Sequence, residues 1–294
     1  MSSTSQKILV PIGFTNQSII ALKQAVAFAK KNHSEILMLN VLELPSTYKL
    51  LFSNYEEKRD DFIEKANTKL HELKENYCQD LKVECLVTSG KVYEKVVEVA
   101  TMLKADLIIM GTDGTDKNIK KKFIGSNAYK VIRSSNVPVI TLKGKSIKNE
   151  CKLIALPLDL QNETREKVSY AIEYARLFGA SIQVFSISYD DNDDITKKKL
   201  QQTLLQVSDF INSKGIESQM KFIEIQSSDN FANSIIKYAN SVNADLLMIM
   251  TKDESNLELN FLGSNAQKVI NTSDFPVMSI RPSNKKDTTS FTIQ

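Results

Sequence analysis

Histidine and cysteine are scarce in this chain, with two histidines and three cysteines among 294 residues. His33, His71, Cys78, Cys85 and Cys151 form no Cys-x-x-Cys pair. A zinc site would therefore need carboxylates for most of its ligands. The cysteines read as buried or incidental free thiols, and the histidines as exposed, His33 in a turn and His71 on a polar helix face. Net charge is also low, at +3, which gives no reason to expect nucleic acid or an acidic membrane surface as a partner. No apolar run approaches the length that spans a bilayer, and the opening Met-Ser-Ser-Thr-Ser-Gln-Lys lacks the apolar core of a secretory signal. These absences lead to the expectation of a cytoplasmic, reduced protein. No general base, nucleophile or metal set stands out, so nothing announces a dedicated catalytic apparatus.

What the chain does have is a duplication. Its length alone suggests about two domains, and four blocks recur in the same order. Lys7-Ile-Leu-Val-Pro-Ile-Gly resembles Lys152-Leu-Ile-Ala-Leu-Pro-Leu-Asp. Ala105-Asp-Leu-Ile-Ile-Met returns as Ala244-Asp-Leu-Leu-Met-Ile, and Phe123-Ile-Gly-Ser-Asn-Ala as Phe261-Leu-Gly-Ser-Asn-Ala. Val137-Pro-Val returns as Phe275-Pro-Val. The period is far too long for a solenoid unit, so each half is a domain, 1–147 and 148–294. Lys143 to Glu150 reads as the linker and Ser283 to Gln294 as a loose polar tail.

Each half alternates strand and helix. In the first, apolar runs at Ile8 to Ile12, Glu35 to Val41, Val83 to Val87, Leu107 to Met110 and Val137 to Leu142 read as strands. Between them fall a helix capped by Thr15 or Asn16, a polar helix over Tyr55 to Tyr77, a helix lined by Val92, Val96, Val97 and Ala100, and one opened by Gly125-Ser126. The second half repeats this. Its strands are expected at Ile154 to Leu158, Ile182 to Ile187, Phe222 to Ile225, the run after Ala244, and Val277 to Ile280. Its helices are expected over Glu163 to Phe178, over Ile195 to Ile211 and around Ala232, Ile235, Ile236 and Ala239. Such alternation demands parallel strands, right-handed crossovers and helices on both faces. In sheets of this kind ligands sit at the carboxyl ends of the strands.

Ala105 to Lys143 carries the strongest site signal. A buried strand runs into a glycine turn, Gly111 and Gly114, and Gly125-Ser126 then opens a helix. Strand, glycine loop and helix N-terminus together aim free N–H groups and the positive helix end at one place, which suits an anion. Met110-Gly111-x-x-Gly114, Gly125-Ser126-Asn127 and the run from Val131 to Val139 resemble the ATP-loop signature of the universal stress protein family. The resemblance implies a doubly wound α/β fold with strand order 3-2-1-4-5 in each half, and it covers Lys7 to Arg281. It also implies ATP or a related adenine nucleotide, with Mg²⁺ if bound. Phosphates would lie at Gly111, Gly114, Gly125, Ser126 and Asn127, beside Met110, and the adenine near Pro11, Gly13 and Val41. The family commonly pairs through its last strands, which implies a pseudo-two-fold pair within one chain, with homodimerisation as a further option. The protein partner is not named by the resemblance.

The two halves depart from the pattern differently. The first carries Gly13 where the family has Asp, and ten residues separate Gly114 from Gly125 where the pattern has nine. The second keeps Asp159, Gly263, Ser264 and Asn265, but Met250 and Asp253 replace both loop glycines. Losing an Asp removes one hydrogen bond, whereas Asp in a phosphate cradle adds a Cβ and a repelling charge. The first half is thus expected to hold nucleotide and the second to be structural. Lys117, Lys120, Lys121 and Lys122 form either a solvated loop or a cover over phosphates. Gly144-Lys145-Ser146 looks like the end of a Walker A motif but lacks its first glycine. A nucleotide-free interaction scaffold is the rival reading, and slow ATP hydrolysis would need a water-activating group the sequence does not show.

Overall fold

The computed structural model describes residues 6–44, 55–112, 124–143, 150–160, 164–251 and 263–282. The Lys-rich loop, Gly114, Asp253, Gly144-Lys145-Ser146 and the tail all lie outside them. The chain divides into two units, Met1–Asn149 and Glu150–Gln294.

The first unit runs β1 (Lys7–Pro11), α1 (Asn16–Asn32), β2 (Glu35–Leu42), α2 (Tyr55–Tyr77), β3 (Val83–Ser89), α3 (Val92–Met102), β4 (Leu107–Gly111), α4 (Ser126–Ser134) and β5 (Val139–Leu142). All its strand pairs are parallel, in the order β3-β2-β1-β4-β5. The second unit runs β6 (Leu153–Leu158), α5 (Thr164–Phe178), β7 (Ser181–Tyr189), α6 (Asp194–Ser213), β8 (Ser218–Ile225), α7 (Phe231–Ser241), β9 (Leu246–Met250), α8 (Ser264–Thr272) and β10 (Val277–Ile280). Its order, β8-β7-β6-β9-β10, is the same plan. Both units are therefore doubly wound sheets in the 3-2-1-4-5 order.

The repeated blocks have local physical reasons. Asp106 accepts the Lys7 backbone N–H at 2.8 Å, and Asp245 accepts those of Lys152 and Leu153 at 2.8 and 3.0 Å. The Ala-Asp pair before the fourth strand thus pins the start of the first strand beside it. Ser135 accepts the Val137 N–H at 3.0 Å and donates to its carbonyl at 2.7 Å. Ser273 does the same to Phe275 at 3.3 and 2.9 Å. That turn holds Val137-Pro138, so β5 begins at Val139 and not at Val137.

Helix α1 starts on a capping box in which the Thr15 hydroxyl accepts the Ser18 N–H at 3.3 Å and Ser18 accepts that of Thr15 at 3.1 Å. It ends at His33 with φ 53°, where the second unit has Gly179 at φ 64°. Each central strand is buried along its length, and the core lies between sheet and helices. On α3 the buried positions are Val96, Val99 and Ala100, with Val97 half-exposed. On α7 they are Ala232, Ile235 and Ala239, with Ile236 half-exposed. Both shifts follow the i, i+3, i+4 spacing of a face turned inward. Strands β7 and β8 extend past the apolar runs to Tyr189 and back to Ser218, because the ladder between them runs from Ile182–Ser218 to Tyr189–Ile225. Among the described residues no helix is long and apolar enough to cross a membrane.

Candidate functional site

In the first unit the expected residues gather at the carboxyl edge of the sheet. Pro11 ends β1, Val41 lies near the end of β2, and Met110-Gly111 ends β4. The strand-one end is fixed by Asn40, whose side-chain amide donates to the Ile12 carbonyl at 2.7 Å. Ile12 in turn donates its N–H to Leu39 at 2.7 Å. Beyond it Gly13 is exposed and Phe14 has φ 56°, a left-handed backbone that a bulky residue adopts only under constraint. Lys69 of α2 lies 5.4 Å above the Phe14 ring and adds a cation–π contact at this turn.

The end of β4 meets the start of α4. Gly125 donates its N–H to the Thr112 carbonyl at 2.6 Å, which ties the start of α4 to the end of β4. Thr112 is buried and bonds the Leu142 carbonyl through both its N–H and hydroxyl, at 3.0 and 3.3 Å. No side chain caps α4 at Gly125, in contrast to the Thr15, Asp193 and Asn230 caps of α1, α6 and α7. Ser126 and Asn127 follow at its first turn, Ser126 exposed. The first N–H groups of α4 are thus left for solvent or a ligand.

Gly111 has a packing role that its motif does not suggest. A Cβ built there would lie 2.8 Å from the Gln17 Cβ and 2.9 Å from the Gln17 carbonyl oxygen. The glycine lets α1 sit directly on the end of β4. Gly13, in contrast, would carry a Cβ freely, its nearest neighbour being Thr15 Cγ2 at 4.0 Å.

The second unit holds the corresponding edge in another form. Its strand registers align Ile154 with Ile8 through the partners Leu246 and Leu107. Continued without a gap, that alignment places Pro157 at Pro11, Asp159 at Gly13, Lys167 at Ala21 and Met250 at Gly111. Ser186 replaces Asn40 and donates to the Leu158 carbonyl at 3.0 Å, so the strand end is tied in the same way. Thr251 bonds the Ile280 carbonyl through its N–H and hydroxyl at 2.9 and 3.2 Å, as Thr112 does Leu142. Gly263 opens α8 with no side-chain cap, followed by the exposed Ser264 and Asn265. Among the described residues no bond joins Gly263 to Thr251.

A cleft of about 350 Å³ lies at this edge. Asp159, Lys167, Met250, Gly263 and Asn265 line it, with Tyr189 and Phe231 as a tilted aromatic pair 6.2 Å apart. A larger depression, about 640 Å³, runs along α2 and is lined by that helix alone, from Asp60 to Glu75. It is a groove between side chains of one helix face. Lys167 and Gln17 were missed by motif reading. Lys167 sits on the apolar face of α5, at helical spacing from Ala171, Tyr174 and Phe178, all buried, and that spacing was the available signal. No group of three or more His, Cys, Asp or Glu able to hold a metal occurs among the described residues.

Parallel strands in the 3-2-1-4-5 order, with Gly-Ser-Asn helix starts at the carboxyl edge, define a tandem doubly wound α/β protein. The chain belongs to the universal stress protein family, whose model matches residues 4–143 and 151–281. It is 29% identical over 162 residues to a universal stress protein of Methanocaldococcus jannaschii, a match that covers 50% of this chain and 99% of that one. Across its length it is similar to a universal stress protein structure from Archaeoglobus fulgidus, with TM-score 0.75 and 21% identity over 95% of this chain and 99% of that one. A putative universal stress protein structure from Pseudomonas aeruginosa gives TM-score 0.69 at 19% identity, covering 95% and 94%. At those identities the two structures speak for the fold.

Proposed function

We propose that the protein is a nucleotide-responsive universal stress protein that holds ATP or a related adenine nucleotide in its first unit. The observation that carries this reading is the Gly125–Thr112 bond at 2.6 Å, which sets the uncapped start of α4 against the end of β4. Phosphates would take the free N–H groups of Ser126 and Asn127, beside Gly125, with Gly114 in the loop between. Adenine would lie toward Pro11, Gly13 and Val41. Mg²⁺ would arrive with the phosphates, since that ion is usually held by one or two carboxylates plus phosphate oxygens. The three free cysteines, two of them buried, support a reducing, cytoplasmic setting. No residue is assigned to activate water, so the reading is of binding and response, not turnover.

Calorimetric titration of the full chain with ATP and with adenosine tests this. With methyl-¹³C methionine, the Met110 resonance reports the first unit, because Met110 precedes Gly111 at the end of β4. The triphosphate is expected to bind at least about tenfold tighter, the worth of one or two charge-assisted hydrogen bonds. Equal affinities would mean that the helix start is not used. The second reading, a nucleotide-free interaction scaffold, is favoured by Gln17 filling the space at Gly111, and no binding at all would put it first.

A further inference from the structure

The first unit carries two thiols that its repeat does not require. Cys78 follows the last residue of α2, with its N–H on the Lys74 carbonyl at 2.9 Å, and its own carbonyl accepts the Leu81 N–H at 3.2 Å. Asp80, at φ 65°, completes the reversal, and β3 begins at Val83. Cys85 is the third residue of that strand, in register with Met38 of β2. In the second unit Met220 stands in the same register with Val184, the equivalent of Met38. Met220 therefore takes the place of Cys85. Continued back without a gap, the alignment sets Gly215, at φ 77°, against Asp80 and Ser213 against Cys78. One fold thus builds this turn with and without a thiol pair.

Helix α2 packs on β3. Cys78 is only 3% exposed, which turns its thiol into the seam between helix and sheet, while Cys85 is half-buried. Burial pushes the Cys78 thiol from 9.0 up to about 11, with Cys85 the next contributor. Burial raises Cys85 as well. Lys74, one helical turn before Cys78, opposes that rise at both sulfurs, joined at Cys78 by Lys30 of α1, and Glu84 adds to the rise at Cys85. A side chain near the end of α2 that acts on both thiols puts Cys85 on the face of β3 that α2 covers. Both groups are therefore protonated and slow to react at neutral pH, and the more open Cys85 is the one an oxidant meets first.

We propose that Cys78 and Cys85 are an oxidisable pair, closed by hydrogen peroxide into an intrachain disulfide that fastens the last turn of α2 to β3. The Cys85 thiol first loses its proton to solvent. Its sulfur attacks one peroxide oxygen, the O–O bond breaks, and the departing hydroxide takes up a proton to become water. Cys85 is then a sulfenic acid, oxidised by the two electrons that reduced the peroxide. The Cys78 sulfur attacks the Cys85 sulfur, the S–O bond breaks, and hydroxide leaves with the Cys78 proton as a second water. Two thiols and one peroxide thus give one disulfide and two waters, and a dithiol reductant reverses the change by exchange. Closure requires Cα atoms no more than about 7 Å apart, so the cross-link reads the seat of α2 on β3 directly. Nucleotide takes no part in it.

The test treats the reduced full chain with hydrogen peroxide, blocks the remaining thiols with N-ethylmaleimide in denaturant, and maps the products by mass spectrometry without reduction. Trypsin cuts after Lys74, Lys82 and Lys91. The disulfide is expected as peptide 75–82 joined to peptide 83–91, lighter by two hydrogens than their sum, with maleimide on Cys151 alone. Dithiothreitol should restore maleimide addition at all three cysteines. Hydrogen exchange in the last turn of α2 should slow on oxidation and recover on reduction. Cys78→Ser should carry Cys85 on to sulfinic acid, and Cys85→Ser should leave Cys78 reduced at the same peroxide dose. The wild-type map requires neither variant, so a substitution that fails to fold leaves the test intact. The proposal is overturned if wild-type Cys85 reaches sulfinic acid with Cys78 still free, or if the bond joins two chains or involves Cys151. It is also overturned if both thiols stay free at a dose that oxidises the exposed Met102 to its sulfoxide.

Discussion

Gly111→Ala separates two explanations of a motif glycine. The new Cβ would stand 2.8 Å from the Gln17 Cβ, 2.9 Å from its carbonyl oxygen and 3.0 Å from its carbonyl carbon. Carbon atoms settle at roughly 3.5–4.0 Å, so α1 would have to retreat by about 0.7 Å or more. The obstacle is helix backbone, not the end of a flexible side chain, and overpacking of this kind typically costs about 1–3 kcal/mol. Alanine recovers about 0.5–1 kcal/mol of the entropy that glycine loses in a strand. The net expectation is a loss of about 1–2 kcal/mol, which lowers Tm by roughly 2–8 °C for a unit of this size. Differential scanning calorimetry on the nucleotide-free chain reads it, and faster hydrogen exchange in α1 peptides should locate it. A glycine kept only for phosphate would leave the nucleotide-free protein unchanged or more stable. An unaltered or raised Tm, with α1 exchange also unaltered, would therefore refute the packing argument.

Gly13→Asp should strengthen ATP binding by roughly 1 kcal/mol, about fivefold, because the site has space for the side chain; no gain by calorimetry would point to the longer loop between Gly114 and Gly125 as the obstacle. Burial, followed by the neighbouring Cys85, raises the Cys78 thiol from 9.0 to about 11, so the folded state keeps a proton that the unfolded chain has lost between those values. Its stability contribution is therefore full below about pH 9 and lost as pH rises through about 11; urea unfolding across that range should fall more steeply for the wild type than for Cys78→Ala, and equal slopes would sink the assignment.

Much of the fold was legible because its signals are redundant. Leu107–Gly111 and Leu246–Met250 are apolar runs too short for helices, and the repeat supplies each half with a second witness. Boundaries were harder wherever a side chain and not the strand pattern decides them. Val137 belongs by composition to a strand, yet the Ser135 hydroxyl holds it in a turn. The repeated Asp106 and Asp245 gave no sequence sign that they pin a strand start far away in the chain, since the pairing appears only when β1 lies beside β4. At the candidate site the structure adds a packing role that spacing does not show. Spacing marks Gly111 as a cradle glycine, whereas the nearest claim on it is Gln17, a residue with no motif.

Lys167 shows how a repeat can reveal what a motif hides. Lysine on a helix is ordinarily a surface residue, and nothing around Lys167 resembles a known signature. Its position on the apolar face of α5, equivalent to Ala21 and with its ammonium on the Pro157 carbonyl, makes it an interior lysine. The two departures of the second half are also coupled. A methionine at 250 keeps the first helix off the fourth strand, and only with that helix held away is there room for a lysine stem where an alanine had been. Wider separation of the first helix from the fourth strand and opening of a cleft beside them are consequences of one side chain.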